Sequence, residues 1–229
     1  AALVARRSST CWRQAVAPLA KFPRALLAVY ASLAPPFLKI LGAPNFAVDW
    51  SYGTSTGKTT VLRVAASCWG NPDERSQNSN LYSWDATRVW IQRACFIGSG
   101  LPMILDDTKR ARRPGDVASV LYDIINGRGR GRGSIKGMRK TETWNTVLLS
   151  SGEASAVSFT QDGGTRARVL TLWGAPFGRA DEETGRIVQT VDAGIRANYG
   201  EPGKMLVQWL LKNRDKWPKL REGYQLAHQ

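Results

Sequence analysis

The sequence has few of the residues that build zinc sites, disulfide frameworks and histidine-dependent active sites. Its 229 residues include one histidine, His228, and three scattered cysteines, Cys11, Cys68 and Cys95. A zinc cluster or a disulfide framework needs several such side chains at regular spacing, so both are excluded. We interpret His228, the residue before the last, as part of a tail and not as a catalytic group.

Acidic residues and long apolar runs are also scarce. There are 32 Lys and Arg against 18 Asp and Glu, a net charge of +14, and the first acid is Asp49. The uncharged stretch 25–38 is too short to span a membrane and contains two prolines. With 43% hydrophobic residues and nine Trp, the chain is not a disordered polycation. We therefore predict a soluble, cytoplasmic protein whose partner is a polyanion.

The basic, acid-free start of the chain admits two interpretations. Such a composition is typical of a transit peptide. However, apolar residues recur at helical spacing from Leu19 to Leu33, and Pro23 suits a first helical turn. We favour a helical lead-in over residues 1–44, with one or two packed helices that end near Pro35 and Pro36.

The strongest local pattern is a glycine-containing loop between a strand-like and a helix-like segment. Residues 46–50 favour a strand, and residues 61–69 favour a helix that ends at Gly70. In this context such a loop binds phosphate through backbone N–H groups at the start of the helix. The predicted nucleotide-binding residues are Gly53, Thr54, Ser55, Thr56, Gly57, Lys58, Thr59 and Thr60. Lys58 is expected to reach the β- and γ-phosphates of ATP, and the Thr59 hydroxyl to bind Mg²⁺.

One position departs from the usual phosphate-loop pattern, G-x-x-x-x-G-K-[ST]. The first glycine is expected at position 52, where this chain has Tyr52, and the nearest glycine is Gly53. A different loop curvature is the expected consequence. The alternative, a chance Gly-Lys-Thr at the start of an ordinary helix, is disfavoured by the strand before the loop and the helix after it.

An apolar run that ends in two acids predicts the metal-binding strand. Residues 101–105 lead into Asp106 and Asp107, a pattern typical of a buried parallel strand with carboxylates at its carboxyl end. Asp106 is the predicted Mg²⁺ ligand, and Asp107 is predicted to polarise the attacking water. The alternative for Asp107 is that it caps the segment that follows.

A third strand-like run, residues 144–149, ends in Ser150 and Ser151, with Glu153 close by. Both serines are candidate sensors of the γ-phosphate, and an ordinary turn after the strand is the alternative. Arg166 and Arg168 precede a further strand-like run and are candidate arginine fingers, in their own or a neighbouring subunit. Surface or ion-paired arginines are the alternative. Arg168 joins the candidate catalytic set of Lys58, Asp106, Asp107, Ser150 and Ser151.

Most of the positive charge lies between the acidic strand and the third strand. Residues 109–140 hold ten Lys and Arg against two Asp, which is +8 of the total of +14. We predict a helix from Pro114 to Asn126 and then a basic hairpin, residues 128–143, that turns near Lys136 and Gly137. The predicted contacts to nucleic-acid phosphates are Arg128, Arg130, Arg132, Lys136, Arg139 and Lys140. For the first three, a solvated loop or a role at a neighbour's nucleotide is the alternative.

The C-terminal part, residues 181–229, is predicted to be helical. Ile187, Val191 and Ile195 share one face, and Met205 and Trp209 share another. Core packing is the preferred interpretation of both faces, and a small lid over the nucleotide is the alternative. Residues from 215 onward are expected to form a frayed end, and residues 45–180 to form an ATPase core.

Together these segments resemble the "domain of unknown function 927" family. The resemblance covers nearly the whole chain and rests on residues 12–72, Leu105-Asp106-Asp107, Ile125-Asn126-Gly127, residues 147–153 and residues 198–203. It implies a three-layer α/β P-loop NTPase with a mostly parallel sheet, of the AAA+ and superfamily 3 helicase type. Such domains belong to replication proteins of phages and mobile elements, often beside a primase-like region that is not visible here. Tyr52 and Asp107 stand where the family usually has Gly and Glu.

Three hypotheses for function follow. The first is an ATP- and Mg²⁺-dependent DNA helicase or translocase. It is expected to work as a homo-oligomeric, hexameric ring on single-stranded or forked DNA. RNA is the alternative substrate. The second is a nucleotide-binding, nucleic-acid-binding module with little hydrolysis, which Tyr52 and Asp107 motivate. The third is a small-molecule kinase, and the basic insert argues against it.

Overall fold

The computed structural model describes residues 9–131, 133–134, 137–138 and 140–227. Five strands form one parallel sheet: β1 (Phe46–Ser51), β2 (Tyr82–Ser83), β3 (Met103–Asp106), β6 (Val147–Gly152) and β7 (Val169–Trp173). Their order across the sheet is β2-β3-β6-β1-β7. A separate antiparallel pair consists of β4 (Gly133–Ser134) and β5 (Gly137–Met138). The four sheet strands predicted from the sequence are present, and β2 is an addition.

Helices cover both faces of the sheet. Their bounds are α1 (Ser9–Val16), α2 (Pro23–Leu33), α3 (Pro35–Leu41), α4 (Lys58–Ser67), α5 (Arg88–Ile97), α6 (Pro114–Asn126), α7 (Gly163–Arg166), α8 (Glu182–Ala197), α9 (Glu201–Lys212) and α10 (Trp217–Leu226). One hydrophobic cluster joins α1–α4 and α8 to the sheet, and a second joins α5 and α6 to its other face. On β1, Val48 and Trp50 belong to the first cluster and Ala47 to the second, because side chains alternate along a strand. The architecture is a three-layer α/β domain.

The N-terminal helices are packed into the first cluster. Trp12 Nε1 donates to Ser67 Oγ at 2.9 Å, and Ser32 Oγ donates to the Ala65 carbonyl at 2.7 Å, so α1 and α2 are both joined to α4. The predicted helical character of residues 19–33 is confirmed. Helix α2 ends at Leu33, close to the predicted end near Pro35, but Pro35 opens a further helix, α3, that the sequence pattern does not predict, and proline is accepted in a first helical turn.

The C-terminal helices differ from the prediction in two respects. Val191 and Ile195 on α8 are buried as expected. However, Met205 and Trp209 on α9 are 39% and 44% exposed, so the expected core packing of that face is wrong. The end of the chain is also more ordered than expected, because Arg221 on α10 donates to the Ile40 carbonyl on α3 at 2.9 Å.

Among the described residues, no single helix is both long and apolar enough to cross a membrane. The pair α2 and α3 meets that length and composition only when taken together, with a bend of 60° between the two helices.

Candidate functional site

The glycine-containing loop joins β1 to α4 at the carboxyl edge of the sheet. Two of its residues have left-handed backbone, Ser55 with φ 57° and Gly57 with φ 88°. Helix α4 begins directly after Gly57, so Lys58, Thr59 and Thr60 lie in its first turn. Of the three, Thr60 is buried. The first N–H groups of a helix have no partner inside it and carry the positive end of the helix dipole. The loop therefore places several backbone donors and one lysine at the same edge.

Tyr52 extends the strand and does not turn the chain. Its N–H donates to the Gly152 carbonyl at 3.1 Å, and neither Tyr52 nor Gly53 has a positive φ. Position 52 does not need glycine in this conformation. The left-handed turns are at Ser55 and Gly57, and a Cβ on Gly57 would lie 2.6 Å from the Phe177 ring.

Lys58 folds back over the loop. Its ammonium donates to the carbonyls of Tyr52 at 2.8 Å and Gly53 at 2.5 Å. Burial lowers the pKa of Lys58, and nearby carboxylates, of which Glu153 has the largest effect, partly oppose this shift. The Lys58 ammonium therefore interacts electrostatically with the carboxylates at the edge of the sheet while it is hydrogen-bonded to the loop.

Asp106 connects three elements at this edge. Thr59 Oγ1 donates to Asp106 Oδ2 at 3.0 Å, and Ser151 Oγ donates to Asp106 Oδ1 at 2.5 Å. Strand β6 pairs directly with β3, as expected for the strand that ends in the sensor candidates. A hydroxyl and a carboxylate in contact suit Mg²⁺, which usually completes its shell with phosphate and water. The described part of the chain holds no cluster of three or more His, Cys, Asp or Glu that could bind a metal by itself.

Asp107 follows β3 with a left-handed backbone, φ 62°, which is uncommon for a residue other than glycine. Its carboxylate accepts the Lys109 N–H at 3.2 Å and so caps the short 3₁₀ turn Thr108–Arg110. The observed contact of Asp107 therefore agrees with the alternative that this residue caps the segment that follows it. Its role in polarising water stays a prediction.

Lys109 and Glu153 form an ion pair beside these residues. From the sequence alone Lys109 belongs to the basic insert, and Glu153 is only a neighbour of the sensor candidates. Because β3 and β6 are adjacent and parallel, the segments after them leave the sheet at the same edge. Both charged side chains are therefore part of the site.

The two sensor candidates point to opposite faces of β6. Ser151 contacts Asp106, whereas Ser150 is fully buried and its Oγ accepts a hydrogen bond from Trp84 Nε1 at 3.1 Å. Consecutive side chains alternate along a strand, so the two serines cannot both face the edge site. The prediction for Ser150 is therefore wrong, and Ser151 stays the sensor candidate.

Asp49 is a buried acid that sequence reasoning missed. It lies on β1 opposite Ser150, and its Oδ2 accepts the Ala156 N–H at 2.8 Å and the Ser51 hydroxyl. Its Oδ1 has no hydrogen-bond partner within the described residues. Burial raises the pKa of Asp49, and the hydrogen bonds from Ser51 and Ala156 oppose that rise. An acid inside an otherwise apolar strand is the only sequence feature that indicates this position.

The two arginine-finger candidates lie near the amino ends of the strands, at the end of the sheet away from the loop. Arg168 directly precedes β7, and its carbonyl accepts the Ala47 N–H at 2.9 Å, near the start of β1. From there to Ser51 at the carboxyl edge the strand rises about 13 Å, at about 3.3 Å per residue. Arg168 also lines a cavity of about 840 Å³ with Lys39 and Trp144, away from the loop. A finger role of Arg168 in its own subunit is therefore wrong, and a role of Arg166 or Arg168 in a neighbouring subunit stays a prediction.

The described residues of the basic segment pair as the predicted hairpin does, whereas the predicted turn at Lys136 lies outside them. The Gly129 N–H donates to the Glu142 carbonyl and the Trp144 N–H to the Gly127 carbonyl, both at 2.9 Å. Further out, β4 and β5 continue the antiparallel pairing. Three predicted contacts to nucleic acid, Arg132, Lys136 and Arg139, lie outside the described residues, as does His228.

The remaining hairpin cations are Arg128, Arg130 and Lys140. All three are exposed, and they form no ion pair with any described residue. Arg130 and Lys140 line a groove of about 480 Å³ between the hairpin and α5. Trp90 on α5 lines the same groove and is 43% exposed. The groove thus combines cations with an accessible aromatic ring.

Residues 8–144 match the family described as "Domain of unknown function (DUF927)", a match that covers more than half of the chain. The chain belongs to the DUF927 family. A solved structure named "SCCmec type IV Cch - active helicase" resembles this DUF927 domain with a TM-score of 0.76 at 21% identity. The similarity covers 94% of this chain and 40% of that one, so this chain spans about two fifths of the named helicase. At this identity the similarity shows a shared fold. No curated protein matches the chain.

Proposed function

We propose that this DUF927 chain is the ATP- and Mg²⁺-dependent motor domain of a ring-forming helicase or translocase that acts on DNA in the replication of a phage-like or mobile element. The observation that carries the proposal is the meeting of Lys58, Thr59, Asp106 and Ser151 at one edge of a parallel sheet. A strand, a glycine loop and a helix lead into this edge, which is the context of a phosphate-binding loop. The shared fold with a protein named as an active helicase supports the same reading.

Each residue of the edge has a chemical role in this proposal. Lys58 exchanges its carbonyl partners for β- and γ-phosphate oxygens, and backbone N–H groups of the loop and of α4 bind the remaining charge. Thr59 and Asp106 hold Mg²⁺, which when bound neutralises charge on the terminal phosphates. Ser151 donates to Asp106 and so fixes the orientation of that carboxylate. Asp107 is the candidate that orients the attacking water.

The hairpin and its groove are proposed to hold single-stranded nucleic acid. Arg128, Arg130 and Lys140 supply accessible positive charge for backbone phosphates. The exposed Trp90 ring offers a face on which a base can stack, and stacking tolerates any sequence. Phosphate contacts and stacking together favour a single strand bound without sequence preference.

Measurement of ATP hydrolysis with and without single-stranded DNA tests the proposal. We expect hydrolysis that DNA stimulates, and a loss of at least about 100-fold in Lys58→Ala because the transition-state charge on the phosphates is no longer neutralised. Lys219→Ala, which removes an exposed lysine from α10, is the matched control and should retain full activity. If calorimetry detects no nucleotide binding by the parent chain, the proposal fails.

The geometry of Asp107 favours a second candidate function, a nucleotide-dependent binding module that barely hydrolyses ATP. Its carboxylate is engaged in capping a turn, and its side chain is one carbon shorter than Glu. Comparing turnover of Asp107→Glu with that of the parent separates the two candidates. A gain of tenfold or more in the variant favours the slow module, whereas equal or lower turnover favours the motor.

Assembly is the remaining part of the proposal. A ring would allow Arg166 or Arg168 to reach a neighbour's nucleotide, and Arg168 lies too far from the loop of its own chain to act there. Mass photometry with and without ATP and single-stranded DNA should show a nucleotide-dependent hexamer. A protein that stays monomeric in every condition contradicts the ring.

A further inference from the structure

Tyr52 and Trp173 form an exposed aromatic pair beside the glycine loop. Their ring centroids are 5.7 Å apart at 87°, and the two residues are 39% and 56% exposed. The pair follows from the sheet register, because Trp173 at the end of β7 lies opposite Ser51, the residue before Tyr52. The proposed function assigns neither ring a role. Two large aromatic side chains this accessible at a ligand-binding edge indicate a surface that meets another flat apolar group.

The order of the strands decides which part of a nucleotide lies near this pair. Strand β1 has β6 and β3 on one side and β7 on the other. Thr59 and Asp106, the residues that would hold Mg²⁺, lie toward β3, and the metal would neutralise the charge of the terminal phosphates there. The terminal phosphates therefore lie on the β3 side of the loop. The α-phosphate and nucleoside then extend to the β7 side, where Trp173 ends its strand.

We propose that Tyr52 and Trp173 form the stacking platform for the base of the nucleotide bound at this loop. The inference rests on the proposed function and adds the recognition of the nucleoside to it. An edge-to-face pair leaves ring faces free, and a planar base can stack on them. Stacking does not read the hydrogen-bonding edge of a base, so the platform takes nucleoside triphosphates as a class and distinguishes one base from another weakly.

The backbone on both sides of the platform is held in place. The Trp173 carbonyl accepts a hydrogen bond from Arg24 Nη1 at 2.9 Å, and the Tyr52 N–H donates to Gly152. The Gly174 N–H donates to the Ser51 carbonyl at 3.1 Å. Little ordering of the chain is then needed when a base binds. The platform also gives a physical reason for a ring at position 52, where the phosphate-loop pattern has glycine.

Binding of ATP and of inorganic tripolyphosphate, both with Mg²⁺, tests the platform by calorimetry. ATP carries a base and tripolyphosphate does not, so only the affinity for ATP depends on stacking. We expect Trp173→Ala and Tyr52→Ala each to weaken ATP about tenfold and to leave tripolyphosphate unchanged. Tyr52→Phe, which keeps the ring, should bind ATP like the parent. Unchanged tripolyphosphate binding also demonstrates that each variant is folded.

The matched control is Trp209→Ala, which removes a similarly exposed tryptophan from α9 and should change neither affinity. Trp173→Ala and Tyr52→Ala variants that bind ATP as tightly as the parent would overturn the platform. So would an equal loss of ATP and tripolyphosphate affinity, which would indicate damage to the phosphate loop. If the parent chain binds neither compound, the proposed function itself is wrong, and so is the platform that rests on it.

Discussion

At the scale of single residues, Asp49 shows how one buried side chain links the site to the core. Its carboxylate joins β1 to the turn Ala156–Phe159 through the Ala156 N–H, behind the loop that follows Ser51. A buried carboxylate is costly in its charged form, and one oxygen of Asp49 has no hydrogen-bond partner among the described residues. The raised pKa of Asp49 is the consequence.

This shift predicts a pH dependence of stability. Because the folded-state pKa of Asp49 is raised above its ordinary 3.8, its stabilising contribution is complete below that pH and declines as pH rises through the raised pKa. The free energy of unfolding of Asp49→Asn should therefore increase relative to the parent as pH rises from 4 to 7. Urea unfolding of both proteins across this range measures the difference.

Asp162→Asn is the control with the opposite sign. Hydrogen bonds from Thr165 lower the pKa of Asp162, so its contribution is present above its ordinary pKa and is lost as pH falls. This variant should lose stability relative to the parent as pH rises from about 2 to 4, and the difference should then stay nearly constant up to pH 7. If the two variants show the same pH trend, burial does not control the titration of Asp49.

At the scale of elements, α4 is the helix on which the other parts of the first cluster meet. It starts at the loop, bonds to α1 and α2, and is followed by Trp69, whose Nε1 donates to the Ser32 carbonyl at 2.9 Å. Helix α9 docks on the same segment, since the Gly203 N–H donates to the Cys68 carbonyl at 2.8 Å. The helix that follows the proposed nucleotide loop is therefore joined by hydrogen bonds to α1 and α2, and the segment after it to α9.

The contact between α9 and Trp69 predicts the effect of a single methyl group. A Cβ on Gly203 would lie 2.3 Å from the Trp69 ring, so Gly203→Ala should lower the free energy of unfolding by about 1–3 kcal/mol. Gly223→Ala on α10, where a Cβ meets nothing within 4 Å, should instead be neutral or add up to about 1 kcal/mol. Urea unfolding measures both, and a fully stable Gly203→Ala would show that α9 moves freely on α4.

At the scale of the whole molecule, the cations that give the charge of +14 differ in whether they are paired with an acid. Lys109 pairs with Glu153 at the acidic edge, and Arg88 pairs with the buried Asp123 to join α5 to α6. By contrast, the described hairpin cations are exposed and not ion-paired within the described residues. Three accessible cations therefore lie where nucleic-acid binding is proposed.

Salt dependence measures how many of these cations contact phosphate. The slope of log affinity against log salt for single-stranded DNA should fall by about 0.7 for each of Arg130→Ala and Lys140→Ala. Lys219→Ala, on the exposed face of α10, should leave the slope unchanged. Equal slopes in all four proteins would remove the hairpin from the binding surface.

Local chemistry made much of this molecule predictable. The strand, loop and helix around Lys58 depend on residues within about twenty positions, as do the acidic strand and the basic hairpin. Their glycines, apolar runs and charges act through backbone conformation and short-range patterning. Asp49 escaped prediction because its hydrogen-bond partner Ala156 lies 107 positions away.

By itself, the sequence determined that this chain has a glycine loop with Lys58 and Thr59, a strand ending in Asp106, and a basic hairpin. Only the tertiary structure decided which of two adjacent serines faces Asp106, that Arg168 lies at the far edge, and that Lys109 belongs to the site. It also decided that Tyr52 meets Trp173 on the side of the loop away from Asp106. The reason is that strand order and register are set by packing across the whole sheet, which no local pattern encodes.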